Sequence, residues 1–401
     1  MISSQCKQNK KSIIYIGGSK TQIPGIVCAK LANLEVVVTD RAINAPARKF
    51  ADRFENIAAD DIDQLYALAL ELYKQNKLVG IYGVADYAYQ AIGYIYDALK
   101  IPYGSCKLYK NMSDKSISRA IWEDFHISTA RGYTIHNGII PDALDLHFPV
   151  IVKPADSYNS RAVRTVAEQN NLIAAVENTS IYGSKVIVEE LIKGQHVNVD
   201  MVIVDGEAFP AGITERFFVD NINHQPLSGI HGYEFEKINS VQLYNLVKQA
   251  CDSIGFNNGP VTADIILSEG IPYLLEVSPH FHAIEVSSII NLDQILTGWF
   301  AYLAGDSDWR NYMHPVAKGF SAYYHIFSDN TGILDEIIGL DKLRQYKGLV
   351  DIDVRCSIGS KLNNIFDKKP FCGIVTLKAN TYCELHNILF SLDRDIKVVS
   401  H

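Results

Sequence analysis

Two carboxylates in the second half of the chain stand where a β-hairpin would bring them face to face. The runs Val261–Leu267 and Tyr273–Ser278 alternate apolar and polar side chains, as half-buried strands do, and a short turn containing Gly and Pro separates them. If the strand ends that flank the turn pair with each other, Asp264 faces Glu276 on one side of the sheet. Two opposed carboxylates repel each other unless a positive charge lies between them.

A hard cation would supply that charge, because Mg²⁺ prefers oxygen ligands. The hairpin therefore predicts a metal site formed by Asp264 and Glu276. A solvated sheet face would show the same alternation, and a slip of one residue in the pairing would separate the two carboxylates. Both interpretations stay open on the hairpin alone.

Two lysines are candidates for binding phosphate. Lys153 ends the apolar strand Phe148–Lys153 just before a loop, and an ammonium group in that position can project toward a phosphate. Lys115 lies in the first turn of a helix that Ser113 can cap. For each lysine taken alone, a solvated surface side chain is the simpler interpretation.

The loop after Lys153 is rich in hydroxyl and amide side chains and carries one guanidinium group. Ser157, Ser160 and Arg161 could therefore fold over phosphate groups. A polar surface turn would have the same composition, so the loop by itself does not decide between the two.

An extended segment, Lys185–Ile192, could present backbone N–H and C=O groups to the edge of an adenine ring. Glu189 and Glu190 within it point to opposite faces, so only one of them can line a pocket. The alternative is an edge strand whose charges oppose aggregation.

Alternating strands and helices before residue 106 predict the layer that supports these groups. The predicted strands are Ile13–Ile16, Val36–Val38 and Leu78–Tyr82, and the predicted helices are Pro24–Asn33, Ile62–Lys74 and Ala85–Leu99. Such alternation indicates a parallel, Rossmann-like sheet. Gly17 and Gly18 follow the first strand, but no GxGxxG motif is present, which favours a packing layer over a dinucleotide site.

Beyond residue 106 the pattern changes to antiparallel strands mixed with helices. Asp205 and Gly206 separate two β-rich runs as a tight turn does. Val241–Ile254 has a helical pattern. This pattern predicts an α+β unit at residues 106–305. Residues 306–401 mix predicted strands and helices and contain no motif that indicates chemistry.

The overall composition narrows the class of protein. A formal net charge of −8 argues against nucleic acid as a partner, and no apolar run approaches the ~20 residues that span a bilayer. Seven dispersed cysteines without a CxxC pair favour reduced thiols over a disulfide framework. Residues 1–11 are polar and basic, which predicts a disordered tail and no signal peptide. We therefore expect a cytoplasmic protein that binds neither nucleic acid nor membrane.

Five segments resemble, in order, the motifs of the ATP-grasp superfamily, and within it the carboxylate–amine ligases related to bacilysin-type L-amino acid ligases and the carbamoyl phosphate synthetase large subunit. They are Tyr109–Lys115, Phe148–Pro154, Val188–Gly194, Ala263–Ile266 and Leu275–Pro279. Each motif is weak alone, but their order and spacing are specific, and the resemblance covers roughly residues 12–305.

The resemblance implies an α/β and α+β fold with two domains before a terminal region. After the tail at residues 1–11, we expect a Rossmann-like pre-ATP-grasp domain at residues 12–105 and a two-lobed ATP-grasp domain. Its small lobe would cover residues 106–185 and its large lobe, with the metal site, residues 186–305. Residues 306–401, which resemble the family more weakly, would form a C-terminal lid region.

The resemblance also implies a role for each candidate residue. Lys115 and Lys153 would bind the ATP phosphates under the loop that carries Ser157, Ser160 and Arg161. The adenine would be bound by Glu189, Glu190, Leu191 and Ile192, and the ribose by His196. Mg²⁺, for which Mn²⁺ can substitute, would be bound by Asp264, Glu276 and Ser278.

Three positions depart from the pattern of related enzymes. His196 stands where a glutamate is common, Ser278 where an asparagine is common, and His280 where an arginine usually binds the acylphosphate or the substrate carboxylate. Histidine can still hydrogen-bond a ribose hydroxyl at position 196. We predict that His280 lines the catalytic site and that Arg216 supplies the missing contact to the substrate carboxylate.

The implied activity is the ATP-dependent joining of a carboxylate, an amino acid or another small acid, to an amine through an acylphosphate, with release of ADP and phosphate. The expected partners are the two small-molecule substrates, and chains of this family commonly form homodimers. Two alternatives keep the same fold: a carboxylase-like or kinase-like enzyme, and a non-catalytic ATP-binding homologue.

Overall fold

The first domain is the expected parallel sheet with helices on both faces. The computed structural model describes residues 10–84, 86–141, 144–156, 162–219, 224–364 and 368–401. The elements of this domain are β1 (Ser12–Ile16), α1 (Ile23–Leu31), β2 (Glu35–Thr39), β3 (Arg53–Glu55), α2 (Ile62–Lys74), β4 (Leu78–Gly83) and α3 (Tyr89–Leu99). The strands are parallel in the order β3-β2-β1-β4. Helix α3 begins later than predicted, because the 3-10 turn Asp86–Ala88 precedes it.

The small lobe is an antiparallel sheet in the order β5-β8-β6-β7, covered by one helix. The elements from its leading helices onward are α4 (Cys106–Ser113), α5 (Lys115–Asp124), β5 (Gly132–His136), β6 (Val150–Pro154), β7 (Arg164–Val166), α6 (Leu172–Ser180) and β8 (Lys185–Glu190). Ser113 was predicted to cap α5, and this is wrong: Ser113 ends α4, and the Asp114 carboxylate caps α5 by accepting the Ser116 N–H at 3.0 Å.

The large lobe contains a long antiparallel sheet. Its elements are β9 (Gln195–Val204), β10 (Glu207–Phe218), β11 (Pro226–Gly232), α7 (Ser240–Ile254), β12 (Gly259–Ser268), β13 (Ile271–Ser278), α8 (Ile284–Ser287) and α9 (Gln294–Ala304). The apolar faces of β12 and β9 pack on α7, as the alternation of Val261, Ala263 and Ile265 predicts.

The remaining residues extend this sheet and add a small one. They form β14 (Phe320–Phe327), β15 (Gly332–Ile338), α10 (Leu340–Leu343), β16 (Leu349–Val354), β17 (Lys361–Leu362), β18 (Phe371–Ala379), α11 (Tyr382–Asp395) and β19 (Lys397–Ser400). The large sheet runs in the order β13-β12-β9-β10-β11-β14-β18-β16, so strands before and after residue 305 share one sheet.

The register of the β12–β13 hairpin decides whether the two carboxylates meet. The turn pairs Leu267 with Pro272, one residue away from the predicted partner Tyr273. A shift in register next to Asp264 compensates for this difference, and Asp264 lies opposite Glu276 as predicted. The bulge thus restores the pairing that a uniform slip would have destroyed.

Packing between α1 and α9 joins the first domain to the large sheet. Trp299 and Phe300 on α9 are buried in a core shared with β1, β2, β9 and β10. Tyr82 on β4 meets the Trp299 ring edge-on, with 5.6 Å between ring centroids. This contact holds the carboxyl end of β4 beside the large lobe.

Among the described residues, no helix combines the length and the hydropathy that crossing a membrane would require.

Candidate active site

A cleft with a cavity volume of about 170 Å³ lies between the small-lobe sheet and the large sheet. Most of the predicted site residues line it: Lys115, Lys153, Glu189, Glu190, Leu191, Ile192, His196, Arg216, Asp264 and Glu276. These residues come from several strands, one helix and the segment just after β8, so only the folded chain brings them to one cavity.

The other predicted residues fall into two groups. Ser157, Ser160 and Arg161 lie outside the described residues. Ser278 and His280 are described but are not among the residues that line the cleft. Ser278 is buried opposite Thr262 and follows Glu276 by two positions on β13, hence on the same face of the strand.

Each carboxylate of the hairpin is paired with a basic side chain. The guanidinium of Arg216 lies 3.0 Å from the Asp264 carboxylate, and the Asn198 amide donates to the same group. The ammonium of Lys115 lies 3.2 Å from the Glu276 carboxylate. Two opposed carboxylates thus face the cleft, each neutralised by one cation.

The donor set fits a hard divalent cation. Carboxylate oxygens are the ligands that Mg²⁺ prefers, and the positive side chains at this pair show that the site attracts positive charge. Among the described residues, no cluster of three or more His, Cys, Asp or Glu side chains could hold a metal. A metal here would therefore take two protein carboxylates and complete its shell with phosphate or water oxygens, as Mg²⁺ sites commonly do.

Lys153 is held in place by a buried network of charges. Its ammonium donates to the Glu189 carboxylate, whose other oxygen lies 3.0 Å from the Arg119 guanidinium. Burial alone would raise the pKa of Glu189, but the charges of Arg119 and Lys153 outweigh it and keep the pKa below its usual value. Burial also lowers the pKa of Lys153, against the charge of Glu189.

Asp86 lines the cleft and Arg119 pairs with Glu189 in its wall, and sequence reasoning missed both. Arg119 follows Lys115 by four residues on α5, so helical periodicity could have placed both cations on one face. Asp86 enters the cleft from the turn after β4. Burial raises the pKa of Asp86 to about 6, and the Glu276 charge adds to this effect, whereas Lys115 opposes it.

The predicted adenine segment also lines the cleft. The Leu191 N–H donates to the Pro149 carbonyl at 3.1 Å, whereas the Ile192 N–H has no hydrogen-bond partner among the described residues. The Glu190 carboxylate turns away to accept the His147 N–H at 3.1 Å. Burial and the Arg216 charge lower the pKa of His196 to about 4, so its ring is neutral near pH 7.

His280 contacts the first domain and not the wall of the cleft. Its Nδ1 shares a short hydrogen bond with the Tyr89 hydroxyl on α3. Burial lowers the pKa of His280 to about 4, so the ring carries no charge that could replace an arginine at neutral pH. Arg216 lines the cleft beside Asp264 and carries a positive charge at that position.

A buried carboxyl lies on β9, which is the neighbour of β12. Asp200 accepts the His282 N–H at 3.0 Å, and burial raises its pKa to about 7. In an unfolded chain the same group titrates near ~3.9. Because the folded protein binds this proton more tightly, protonation of Asp200 adds to the free energy of unfolding. The full gain is present below about pH 4, and it is lost as the pH rises through about 7.

We expect Asp200→Asn to remove this pH dependence. Because asparagine mimics the protonated carboxyl, the variant should exceed the parent protein in unfolding free energy at pH 8 by at most about 4 kcal/mol. The difference should shrink steadily toward pH 4.5. Urea denaturation of both proteins across this range measures it, and a difference that does not change with pH would contradict the assignment.

Comparison with known proteins agrees with this geometry. Residues 141–284 match the ATP-grasp domain family. D-Alanine–D-alanine ligase B of Pseudomonas syringae pv. tomato is 30% identical over 193 residues, which are 45% of this chain and 59% of that protein. D-Alanine–D-alanine ligase of Bacillus anthracis is 28% identical over 191 residues, 45% of this chain and 62% of that protein. The chain thus matches less than two thirds of the length of these relatives.

Solved structures resemble nearly the whole chain. The L-amino acid ligase from Bacillus licheniformis superposes with a TM-score of 0.79 at 17% identity, covering 98% of this chain and 99% of that one. Phosphoribosylglycinamide synthetase from Anaerococcus prevotii gives a TM-score of 0.70 at 18% identity, covering 98% of this chain and 100% of that one. The expected fold class is confirmed: residues 141–284 match an ATP-grasp domain, and nearly the whole chain has the fold of these two solved structures.

Proposed function

We propose that the protein is an ATP- and Mg²⁺-dependent ligase that joins a small carboxylate to an amine. The observation that carries the proposal is the cleft, which combines Lys115 and Lys153 with the opposed pair Asp264 and Glu276. The likeness to D-alanine–D-alanine ligases, whose names describe such a joining reaction, supports the same activity.

The proposed reaction has two steps. The substrate carboxylate attacks the γ-phosphorus of ATP, which forms an acylphosphate and releases ADP. The amine then attacks the acyl carbon, loses a proton, and displaces phosphate to leave an amide. A bound Mg²⁺ supplies positive charge at the phosphates.

The protein's own groups position the nucleotide and neutralise it. The Lys153 ammonium, oriented by Glu189, and the Lys115 ammonium bind phosphate oxygens and oppose the negative charge that develops during transfer. The Ile192 N–H, which has no partner in the part of the chain that the structure describes, would donate to the adenine edge, and the neutral His196 ring would hydrogen-bond the ribose. The proposed closure of the loop with Ser157, Ser160 and Arg161 would exclude water from the acylphosphate.

The first experiment is to measure ADP and phosphate release with Mg·ATP and a panel of amino acids and other small acids, offered singly and in pairs. ADP that forms only with two substrates would establish ligation, and the productive pair would identify the reaction. Release with one acid, or with bicarbonate alone, would favour a kinase-like or carboxylase-like enzyme. Stabilisation by Mg·ATP without turnover on any acid would favour a binding protein.

Arg216→Ala is expected to raise the KM of the carboxylate substrate by about 10- to 100-fold, because a charged hydrogen bond is lost. The KM of ATP should change less, and Arg216→Lys should recover part of the loss. Arg310→Ala is the matched control, since Arg310 pairs with Glu207 at 2.6 Å on the exposed surface. An unchanged KM for the carboxylate in Arg216→Ala would refute this role.

We further propose a cytoplasmic location and a homodimer. The six cysteines that the structure describes are unpaired, which suits a reducing compartment. Light scattering of the purified protein would test the dimer, and a monomer at micromolar concentration would refute it.

A further inference from the structure

Two cysteines meet where the edge strand of the large sheet ends. Strand β16 lies at this edge beside β18, and their pairing ends with Val354 opposite Gly373. One further hydrogen bond, from the Arg355 N–H to the Cys372 carbonyl at 2.8 Å, continues the pairing. Cys356 is the next residue, so the sheet holds it one position beyond the partner of Cys372.

The separation of the two chain segments suits a disulfide. Facing residues of antiparallel strands have Cα atoms about 4.5–5.5 Å apart, and a step of one residue along the strand adds an offset of about 3.4 Å. The Cα atoms of Cys356 and Cys372 are therefore about 6 Å apart, within the roughly 4.4–6.8 Å that a disulfide spans. Because β16 ends at Val354, the alternation of faces that would separate the two side chains does not extend to Cys356.

The contacts of both thiols place them together. The Cys356 Sγ donates to the Phe371 carbonyl at 3.4 Å, and the Cys372 Sγ donates to the Pro370 carbonyl at 3.8 Å, so both sulfur atoms lie against the same short stretch of chain. Burial, and after it the neighbouring Cys356 thiol, raise the pKa of Cys372 to about 12. The other four cysteines that the structure describes lie on four separate helices: Cys28, Cys106, Cys251 and Cys383.

The two thiols differ in their exposure to solvent. Cys372 is completely buried in the core that β14 and β18 form with α11. Cys356 is half-buried, and the residues that follow it, 357–359, are exposed. Because oxidation of a thiol depends on its exposure, a small oxidant from solvent reaches Cys356 first. Cys372 is then a second thiol within reach of the oxidised sulfur.

We propose that Cys356 and Cys372 form a redox-sensitive pair that hydrogen peroxide converts into a disulfide. The Cys356 sulfur attacks one peroxide oxygen, the O–O bond breaks, and a sulfenic acid and one water form. The Cys372 sulfur then attacks the Cys356 sulfur, the S–O bond breaks, and the hydroxyl group leaves as a second water with the proton of Cys372. Two thiols and one peroxide thus give one disulfide and two waters, and the two electrons lost by sulfur reduce the peroxide.

The disulfide would fasten the edge strand that contacts the first domain. The Lys20 ammonium, which follows β1, lies 2.6 Å from the Asp351 carboxylate and 3.4 Å from the Asp353 carboxylate, both on β16. A bond between Cys356 and Cys372 closes a loop of about 15 residues and so restricts the unfolded chain. We expect the oxidised protein to melt about 2–5 °C higher than the reduced protein.

Mass spectrometry of the full chain tests the pair. The reduced protein is treated with hydrogen peroxide, its remaining thiols are blocked with N-ethylmaleimide, and it is digested with trypsin, which cleaves between the two cysteines after Lys361 and Lys368. We expect the peptide Cys356–Lys361 to be linked to Lys369–Lys378, and dithiothreitol should separate the two. Disulfides that join other cysteines instead, or two thiols that excess peroxide leaves free, would overturn the proposal.

Single substitutions test the order of the two steps. Cys372→Ser should stop at the sulfenic acid of Cys356, which dimedone traps, and Cys356→Ser should slow the oxidation of Cys372 by about tenfold or more. Cys383→Ser removes an exposed thiol on α11 and is the matched control, so it should form the linked peptides at the rate of the parent protein.

Two outcomes would contradict the proposal even if some disulfide forms. Undiminished oxidation of Cys372 in Cys356→Ser would show that Cys356 is not the thiol that peroxide attacks. An oxidised parent protein that melts below the reduced one would show that the fold does not hold the two thiols in position to bond. None of these measurements depends on ATP turnover, so they stand or fall independently of the ligase function.

Discussion

Replacing Lys153 with methionine is expected to lower kcat/KM for ATP by about 100- to 1,000-fold, the usual effect of losing one group that stabilises the charge of a transition state. Lys153 is almost completely buried, lines the cleft and donates to Glu189, so its ammonium is oriented before the nucleotide binds. Methionine keeps the length and the apolar contacts of the side chain but removes the charge. Steady-state kinetics with a saturating second substrate measures the effect.

The same substitution also perturbs a buried ion pair, and the two effects can be separated. Glu189 keeps Arg119 at 3.0 Å, so the loss of stability should be smaller than the about 3–5 kcal/mol typical of a broken buried pair. Adding Glu189→Gln should restore part of the stability and none of the activity. If activity returned together with stability, Lys153 would have a structural role only.

Lys185→Met is the matched control for the loss of a paired lysine. Lys185 lies on β8 in the same lobe and holds Asp114 at 2.8 Å, outside the residues that line the cleft. Its removal should lower the melting temperature and change kcat/KM for ATP by less than about tenfold. Equal losses in both lysine variants would mean that the small lobe, and not the phosphate contact, limits activity.

Asp264→Asn should have the other large effect, a fall in turnover of about 1,000-fold or more, because an amide would replace a charged carboxylate of the proposed metal site. Asp264 lies opposite Glu276, and both groups face the cleft. The parent protein should bind ATP more tightly as Mg²⁺ is added, and the variant should lose most of this dependence. Isothermal titration with a non-hydrolysable ATP analogue at several Mg²⁺ concentrations measures it.

A second variant on the same hairpin provides the control. Glu269→Gln removes an exposed carboxylate at the turn and should change neither turnover nor the Mg²⁺ dependence. A purely structural role for Asp264, as the partner of Arg216, makes a different prediction: Arg216→Gln combined with Asp264→Asn would then recover the activity of Arg216→Gln alone. That recovery would argue against the metal site.

Local patterns in the sequence were sufficient for the individual elements. The alternation in β12 and β13, the helical period of Ile62–Lys74 and the apolar runs of β1 and β2 each depend on neighbours close in the chain, and the structure confirms them. Reliance on neighbours close in the chain also explains the error in the predicted helix cap. Ser113 and Asp114 are both good caps, and the ion pair of Asp114 with Lys185, which is distant in sequence, favours Asp114.

The candidate site was only partly accessible to sequence reasoning. The order of five motifs indicated which residues of the ATP-grasp domain would converge, and most of them line the cleft. His280 occupies a motif position, but its hydrogen bond to Tyr89 turns it toward the first domain. The direction of a side chain depends on contacts that a motif does not contain.

The sequence by itself determined the class of fold, the acidic hairpin and the two lysines, because strand alternation and turn chemistry are local properties and the order of the motifs can be read along the chain. Tertiary structure alone decided that a bulge restores the pairing of Asp264 with Glu276, and that Arg119 orients Lys153 through Glu189. It also decided that Asp86 enters the cleft, because the packing of α1 against α9 brings the end of β4 beside the large sheet. These ion pairs join residues that lie too far apart in the sequence for a local pattern to reveal them.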